Sequence, residues 1–357
     1  MKNYFFRRSL PALATLFGVI TLVFFLFHAL PADPARMMMG QQQDSSALAS
    51  IRKELGLDKA LWKQYLLYLN DLSVLSVYPH PSHAAPAGAL QNTNWVALIS
   101  TEKKIIVLKT PYLGKSFQTG RTVSAIISST LPSTAVLAVV AMCIATLLGI
   151  AAGTLAAFYR NRWPDKLLIL LASSGLAGPS FFMAIVVAWL FAFVWGDFTG
   201  LNLCGSLYTL DDSGEFYRLE WQNIILPAFT LGIRPLAVIT QLMRNSLLEV
   251  YAQDYIRTAK AKGLKPMQIL WRHAYRNALT PVVTAISGWF AGLLAGAVFV
   301  EYVFGWKGLG REMVNALENA DLPVVMGAVL VISFLFVCLN LLVDLIYKWL
   351  DPRIRLS

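Results

Sequence analysis

Four histidines, three cysteines and one Gly-Lys-Ser tripeptide are the residues of this 357-residue sequence whose types could support catalysis, metal binding or phosphate binding. Two of the histidines, His28 and His273, are isolated, so they form no helical ligand pair. The other two, His80 and His83, lie in the Pro-rich stretch VYPHPSHAAPAGALQN. That setting is compatible with a weak metal contact but is more typical of a solvated loop.

The cysteines and the tripeptide are weak candidates as well. Cys143 and Cys338 fall within apolar runs and Cys204 stands alone, which favours three free thiols over a disulfide framework. The stretch IIVLKTPYLGKS ends like a phosphate-binding loop, but Lys109 occupies the position five residues before Gly114 where that loop requires glycine. With no H-E-x-x-H, C-x-x-C or nucleophile-elbow motif either, the sequence predicts no catalytic residue, no metal site and no cofactor, and thus not an enzyme.

A different kind of candidate is the basic stretch YIRTAKAKGLKPMQILWRHAYRNALTPVV, which interrupts an otherwise apolar sequence. Its pattern predicts a helix from Ser246 to Lys262, a left-handed cap at Gly263 and a second helix that starts near Pro266. We call the segment of residues 244–278 the elbow.

The elbow has apolar and cationic positions at helical spacing. The apolar positions are expected to fill a pocket on a partner protein, while the cations stay in water or meet acidic groups. Alternatively, a basic amphipathic segment can lie on anionic lipid, and composition alone favours neither interpretation. The apolar positions are Ile256, Ala259, Leu264, Met267 and Leu270, and the cations are Arg257, Lys260, Lys262 and Lys265.

The elements that must position the elbow are membrane-spanning helices. The chain is 57% hydrophobic and 14% charged, which a soluble domain could not hide in one core. Apolar runs of about 18 or more residues can cross the ~30 Å hydrocarbon layer, and they must do so as helices. The sequence therefore predicts an all-α membrane protein with six spans, the first too long for a cleavable signal peptide. They are Leu10 to Leu30, Ser133 to Phe158, Leu167 to Gly196, Ile224 to Leu242, Leu279 to Val300 and Met326 to Leu350.

The distribution of charge indicates the orientation of the spans. A net charge of +10 invites comparison with nucleic-acid-binding proteins, but the basic residues are concentrated in particular loops. The loops after the second and fourth spans are net positive, whereas those after the third and fifth are net negative. Both termini also carry Lys and Arg. The positive-inside rule therefore predicts cytoplasmic termini and a cytoplasmic elbow.

The predicted domain organisation is a first span (1–30), an extracytoplasmic segment (31–131), a five-helix core (132–350) that includes the elbow, and a cytoplasmic tail (351–357). Within the extracytoplasmic segment, DSSALASIRKELGLDKALWKQYLLYLNDL predicts two helices separated at Gly56. The stretch WVALISTEKKIIVLK predicts a hairpin that turns at Thr101 to Lys104.

One cation, Arg234, lies in the middle of the fourth span. Because a charge at the bilayer centre costs about 2.5–3.5 kcal/mol, it is expected either to line a wet translocation path or to pair with a carbonyl or an acid. The neighbouring Pro235, with Pro227 further back, predicts a kink there. Four glycines of the last two spans are expected instead to allow close helix packing. They are Gly288, Gly292, Gly296 and Gly327.

Six ordered blocks of the sequence resemble the membrane permeases of ATP-binding-cassette importers, in the dipeptide, oligopeptide and nickel branch. The blocks are FHALPADPA, RKELGLDKALWKQYLLYL, YLGKSFQTGRTVSAIISSTLPST, RTAKAKGLKPMQILWRHAYRNALTPVV, VFVEYVFGWKGLGREMVNAL and LPVVMGAVLVISFLFVCLNLLVDLIYKWLDPRIR. The resemblance implies a type I importer permease fold with a long extracytoplasmic loop after the first helix. Two features depart from it: the region from Tyr78 to Lys109 looks like an insertion, and Arg234 replaces a small apolar residue.

The elbow resembles the EAA loop of this family, whose coupling helix docks on a cytoplasmic ATPase. Ala259 and Gly263 match the second alanine and the glycine of that loop, while Arg257 and Thr258 stand in place of Glu and Ala, as is common in the peptide branch. The coupling residues that the resemblance implies are Arg257, Thr258, Ala259, Lys260, Ala261, Lys262, Gly263, Leu264 and Met267.

The resemblance also implies a function and a set of partners. The chain would be a permease subunit in the bacterial inner membrane, most simply for di- or oligopeptides, with nickel or another small solute as the alternative. Its partners would be a second permease, two cytoplasmic ATP-binding subunits, an extracytoplasmic solute-binding protein and membrane lipid. A membrane scaffold without transport activity is the alternative from another class.

Overall fold

The computed structural model of the chain describes residues 2–29, 48–50, 52, 56–80, 88–210 and 217–350. The described residues form two compact units, residues 1–129 with 313–334 and residues 130–312 with 335–357. His83, the acidic residues Asp211, Asp212 and Glu215, and the predicted tail at 351–357 lie outside the described residues.

Long helices make up most of the described chain, as the apolar runs predicted. In chain order the elements are α1 (Lys2–Ala29), α2 (Leu61–Leu72), β1 (Leu75–Pro79), α3 (Gly88–Gln91), β2 (Trp95–Ser100), β3 (Lys104–Lys109), α4 (Val123–Phe158), α5 (Trp163–Ala177), α6 (Ser180–Ala188), α7 (Gly196–Thr199), β4 (Tyr208–Leu210), β5 (Tyr217–Leu219), α8 (Gln222–Tyr251), α9 (Asp254–Ala261), α10 (Pro266–Ile269), α11 (Tyr275–Val303), α12 (Leu309–Glu318) and α13 (Leu322–Leu350). Short π-helical segments, Trp189–Val194 and Leu270–Ala274, follow α6 and α10.

Five of the predicted spans are helices long and apolar enough to cross a membrane, and the prediction of an all-α membrane protein is confirmed. They are Leu10–Ala29, Val123–Phe158, Gln222–Tyr251, Pro266–Val303 and Leu322–Val343. The helix Gln222–Tyr251 runs through both of its prolines.

The third predicted span, Leu167 to Gly196, is wrong as a single continuous helix. The structure has two helices there, α5 and the run Ser180–Val194, bent by 117° at the break between them. Gly178 at the break has extended backbone angles, φ −86° and ψ 145°. Pro179 explains this conformation, since its ring disfavours helical angles in the preceding residue and it has no N–H to donate.

The first unit contains a small antiparallel sheet of strand order β1-β3-β2. The register pairs Leu75 with Leu108 and Trp95 with Lys109, with an irregularity between Ala97 and Ile99. Alternate residues of β1 and β3 are buried, as expected for strands whose side chains point to opposite faces, whereas every residue of β2 is exposed. The buried cluster consists of Tyr78, Ala89, Leu90, Ile105 and Val107, with Tyr112 packed against it.

The Gly-Lys-Ser tripeptide also belongs to the first unit, where it has a structural role. The Ser116 hydroxyl donates a hydrogen bond to the Asp321 carboxylate at 2.5 Å, and the Phe117 backbone N–H donates to the other carboxylate oxygen at 3.0 Å. Both Ser116 and Asp321 are buried. The Ser116 side chain therefore contributes to the stability of the folded unit.

The second unit is built around α8, whose buried face contributes to two hydrophobic clusters among the described residues of this unit. One cluster joins α8 to α4, α6 and α11, and includes Leu137, Ala184, Leu231 and Ala297. The other joins the later part of α8 to the elbow, and includes Met243 and Leu247. The α8 helix thus connects the apolar core to the elbow.

Candidate functional site

The elbow folds as two short helices joined by a tight turn. Its first helix is shorter than predicted, because α8 ends at Tyr251 and Gln253 adopts an extended conformation before α9 begins at Asp254. Gly263 has φ +78°, a left-handed conformation that glycine adopts at little cost. Pro266 then occupies the first turn of α10, where its missing N–H costs no helical hydrogen bond.

The apolar residues of the elbow point mostly into this chain. Ile256, Ala259 and Leu270 are buried in the same cluster as Leu247 of α8. The expectation that these three fill a pocket on a partner is therefore wrong, since the subunit's own core covers them. Met267, by contrast, is 65% exposed.

The residues that the elbow presents outward are largely cationic or small. Leu264 is half-buried, and the exposed members of the predicted coupling set are Arg257, Thr258, Lys260, Ala261, Lys262, Gly263 and Met267. Arg257 forms an ion pair with Asp254 at 3.3 Å, and the Lys260 ammonium lies 5.8 Å from the ring centre of Tyr251. The surface is thus a cationic patch around an exposed methionine.

Sequence reasoning missed an aromatic residue beside this patch. Trp271 is 63% exposed and stacks on Tyr275, with ring centres 4.7 Å apart. Tyr275 is fixed in turn by a hydrogen bond at 2.8 Å between its hydroxyl and that of Thr154. A tryptophan within a cationic segment was the signal that could have identified this feature, because exposed tryptophans are enriched at binding surfaces.

A buried ion pair, which the sequence did not reveal, connects α5 to α8. The Arg244 guanidinium donates two hydrogen bonds to the Asp165 carboxylate, at 2.6 and 2.8 Å. The Asn161 backbone N–H donates a third at 2.8 Å. Asp165 is 2% exposed, so the carboxylate depends on these donors to compensate for lost water.

Arg234 lies in a cavity at the break between α5 and α6. Its guanidinium donates to the Gly178 backbone carbonyl at 3.3 Å, and the side chain remains exposed. The cavity has a volume of about 100 Å³ and is open to its surroundings. Its lining residues are Gly175, Gly178, Ser180, Met183, Thr230, Leu231, Ile233, Arg234, Pro235, Trp289, Gly292, Leu293 and Gly296.

The glycines expected to allow close packing divide into two kinds. A Cβ atom built on Gly327 would lie 2.4 Å from the Val123 side chain, so this glycine does permit close contact. Around Gly288, Gly292 and Gly296, a Cβ atom would meet nothing within 4 Å. The packing expectation is wrong for these three within this chain, where they leave one side of α11 open.

The first unit holds a separate cluster of titratable residues. The Tyr78 hydroxyl donates to the Asp71 carboxylate at 2.7 Å, and the Lys109 ammonium donates to the Asp71 backbone carbonyl. Burial raises the pKa of Asp71 and lowers the pKa of Lys109, since both charged forms lose water. From the shifted pKa of Asp71 we expect the stability of the unit to depend on pH.

The histidines and cysteines that were considered as metal ligands or disulfide partners do not form a cluster among the described residues. The described residues contain no group of three or more His, Cys, Asp or Glu that could hold a metal ion. His28 bonds to Gln64 at 3.1 Å, and Cys143, Cys204 and Cys338 are free thiols.

Comparison with known proteins matches nearly the whole chain. The family described as binding-protein-dependent transport system inner membrane component matches residues 145–356, and a family describing the N-terminal part of such components matches residues 1–87. The glutathione transport system permease protein GsiC of Escherichia coli (strain K12) is 34% identical over 99% of both chains. The dipeptide transport system permease protein DppB of Alkalihalophilus pseudofirmus is 32% identical over 99% of this chain and 100% of that one.

A solved structure supports the same fold. A chain of the MetNI methionine ABC transporter, in an inward-facing conformation, superposes with a TM-score of 0.51 over 64% of this chain and 97% of that chain. At 17% identity this similarity concerns the fold alone.

This chain belongs to the binding-protein-dependent transport system inner membrane component family. It is a multi-pass inner-membrane permease of an ABC importer, not an enzyme, and it works with an ATPase and a substrate-binding protein.

Proposed function

We propose that the chain is the permease subunit of an ATP-driven importer of di- or oligopeptides. The observation that carries this proposal is similarity over 99% of the chain to permeases named for glutathione and for dipeptides, both of which are short peptides. A nickel or other small-solute importer is the alternative within the family, and it has no comparable support from these two relatives.

A strain lacking the gene for this chain provides the test. Complementation with the intact gene should restore uptake of radiolabelled dialanine, and removal of cellular ATP should abolish it. If the complemented strain takes up no dialanine, the proposed peptide substrate is refuted. Uptake of ⁶³Ni²⁺ in the same strain would favour the alternative.

We infer that the subunit pairs with a second permease across the exposed face of α8. Arg234, Gln241, Asn245 and Glu249 recur at intervals of seven, four and four residues, which places them on one side of the helix. Of these, Arg234, Asn245 and Glu249 are exposed and Gln241 is half-buried. Within the predicted span, which ends at Leu242, the exposed charge of Arg234 calls for water or a protein partner, and this supports a translocation path lined by Arg234 between two permeases.

The elbow is proposed to couple the permease to a cytoplasmic ATPase subunit, of which the importer would have two. Its exposed cations and Met267 provide electrostatic and apolar contacts to a complementary groove. Replacing both Lys260 and Lys262 with Glu should reduce co-purification of the ATPase at least tenfold. Replacing Lys103 and Lys104 of the predicted extracytoplasmic hairpin in the same way is the matched control and should have no effect. If the elbow instead rests only on lipid, the two double variants will recover the ATPase equally.

The proposed orientation has cytoplasmic termini, a cytoplasmic elbow and extracytoplasmic residues 31–131. Single cysteines at Lys104 and Lys265, in a background lacking the native cysteines, should react with a membrane-impermeant maleimide from opposite faces of sealed vesicles. Labelling of both positions from one face would contradict this topology.

A further inference from the structure

We propose that the Arg234 cavity binds the C-terminal carboxylate of the transported peptide, and that Trp289, Gly292 and Gly296 set the size of the C-terminal side chain that can follow. This inference rests on the proposed peptide substrate and adds a substrate-binding site within the permease itself.

The depth and the charge of Arg234 are the first argument. It lies 12 residues into the 30-residue helix α8, or about 18 Å along its axis at 1.5 Å per residue. A guanidinium is a cation with five N–H donors in a planar fork. The described residues provide one acceptor, the Gly178 carbonyl at 3.3 Å, and no carboxylate within 4.0 Å. A carboxylate on the substrate matches the unused part of the fork and neutralises the charge.

The wall beside Arg234 provides further donors. Ser180, the first residue of α6, lines the same cavity, and its hydroxyl can donate to an anion. Thr230 also lines the cavity, but its hydroxyl is already bonded to the Leu226 carbonyl at 2.8 Å. Recognition of the carboxylate is therefore assigned to Arg234, with Ser180 in support.

The cavity also has room for an apolar side chain of the peptide, next to α11. Trp289 gives the cavity an aromatic wall, and Met183 and Leu293 add apolar surface. Gly292 and Gly296 leave space next to this wall, since a Cβ atom at either position would meet nothing within 4 Å. Larger residues at these two positions would narrow the space available to the peptide's last side chain.

The first experiment compares uptake of radiolabelled dialanine and dialanine amide in the complemented strain. The amide lacks the carboxylate charge, and any preference of the solute-binding protein cancels when the acid-to-amide uptake ratio of a variant is divided by that of the wild type. Arg234→Gln should lower this ratio about tenfold, because it removes a charge-assisted interaction. Arg218→Gln, at an exposed arginine outside the spans, should leave it unchanged.

The possible outcomes distinguish a failure of the proposed carboxylate site from a failure of the proposed peptide substrate. Arg234→Lys keeps the charge but not the fork, and should retain an intermediate ratio. If Arg234→Gln and Arg234→Lys reduce uptake of acid and amide by the same factor, the residue is structural and the inference fails. If the wild-type permease transports neither compound, the proposed peptide substrate fails instead.

The second experiment tests the size of the adjoining space. Gly292→Leu should reduce uptake of Ala-Phe at least fivefold relative to Ala-Ala. Gly288→Leu is the matched control, because Gly288 is equally open but does not line the cavity. Equal Ala-Phe to Ala-Ala ratios in the two variants would refute the assignment of the α11 wall.

Discussion

Replacing Asp165 with Asn should destabilise the second unit by about 2–3 kcal/mol. Breaking a buried ion pair by removing one partner typically costs about 3–5 kcal/mol, since it leaves the other charge uncompensated. We expect a loss at or just below the lower end of that range, because Arg244 remains 21% exposed and Asn still offers one acceptor oxygen. For a unit of this size the loss corresponds to a fall of roughly 5–10 °C in melting temperature.

The control is a second Asp–Arg pair in the same unit, with a very different environment. Asp254 and Arg257 are 3.3 Å apart, but their side chains are 93% and 74% exposed. Exposed pairs contribute about 0–1 kcal/mol, so Asp254→Asn should shift the melting temperature by no more than about 4 °C.

The assay is thermal unfolding of the detergent-purified permease, followed by the reactivity of its cysteines with a fluorogenic maleimide. The double variant Asp165→Asn with Arg244→Gln removes the unpaired charge and should recover part of the loss. Equal shifts for Asp165→Asn and Asp254→Asn would refute the argument that burial determines the strength of the pair.

Three further predictions follow from local geometry. Gly263→Val should cost about 1–2 kcal/mol at the turn and impair transport, whereas Gly263→Asn, which tolerates a left-handed backbone, should retain most uptake; equal uptake by both would show that the turn conformation is unimportant. Gly310→Ala should lower the melting temperature by several degrees, because a Cβ atom there would lie 2.5 Å from the Val298 Cα, while Gly288→Ala should be tolerated; the same unfolding assay compares them. Because the folded-state pKa of Asp71 is raised, its contribution to stability is present at acidic pH and is lost as pH rises through that pKa. Asp71→Asn should therefore flatten the dependence of stability on pH, measured by hydrogen exchange of β1 and β3 between pH 4 and 8. An unchanged pH profile in this variant would contradict the prediction.

The long apolar helices and the turn of the elbow could be predicted because their signals are local. A run of apolar residues specifies a span without reference to the rest of the chain. Likewise, Gly263 and Pro266 encode their backbone conformations directly. The Gly178-Pro179 dipeptide was an equally local signal for the break in the third span. It was overlooked because the apolar residues on both sides of it were interpreted as one continuous helix.

Contacts between distant residues could not be predicted in the same way. Asp165 and Arg244 are 79 residues apart, and nothing in either local sequence identifies the other as its partner. The elbow shows a related limit. Periodicity indicated that Ile256 and Ala259 share an apolar face, but it could not distinguish cover by a partner from cover by Leu247 of the same chain.

The three contacts between α5 and α8 have a mechanical consequence. Asp165 bonds to Arg244 and Ser173 to Gln241 at 3.5 Å, and Gly178, which directly follows α5, bonds to Arg234, so the two helices are joined from the start of α5 to the residue after its end. Because α8 leads directly into the elbow, a displacement of the elbow should move α5 and α8 together as one rigid body. The extended backbone at Gly178 is then the hinge of this movement. Spin labels at Leu167 and Leu248 should keep a constant separation through the ATP cycle, while labels at Leu170 and Phe193 should change theirs. The reverse pattern would exclude a hinge at this position.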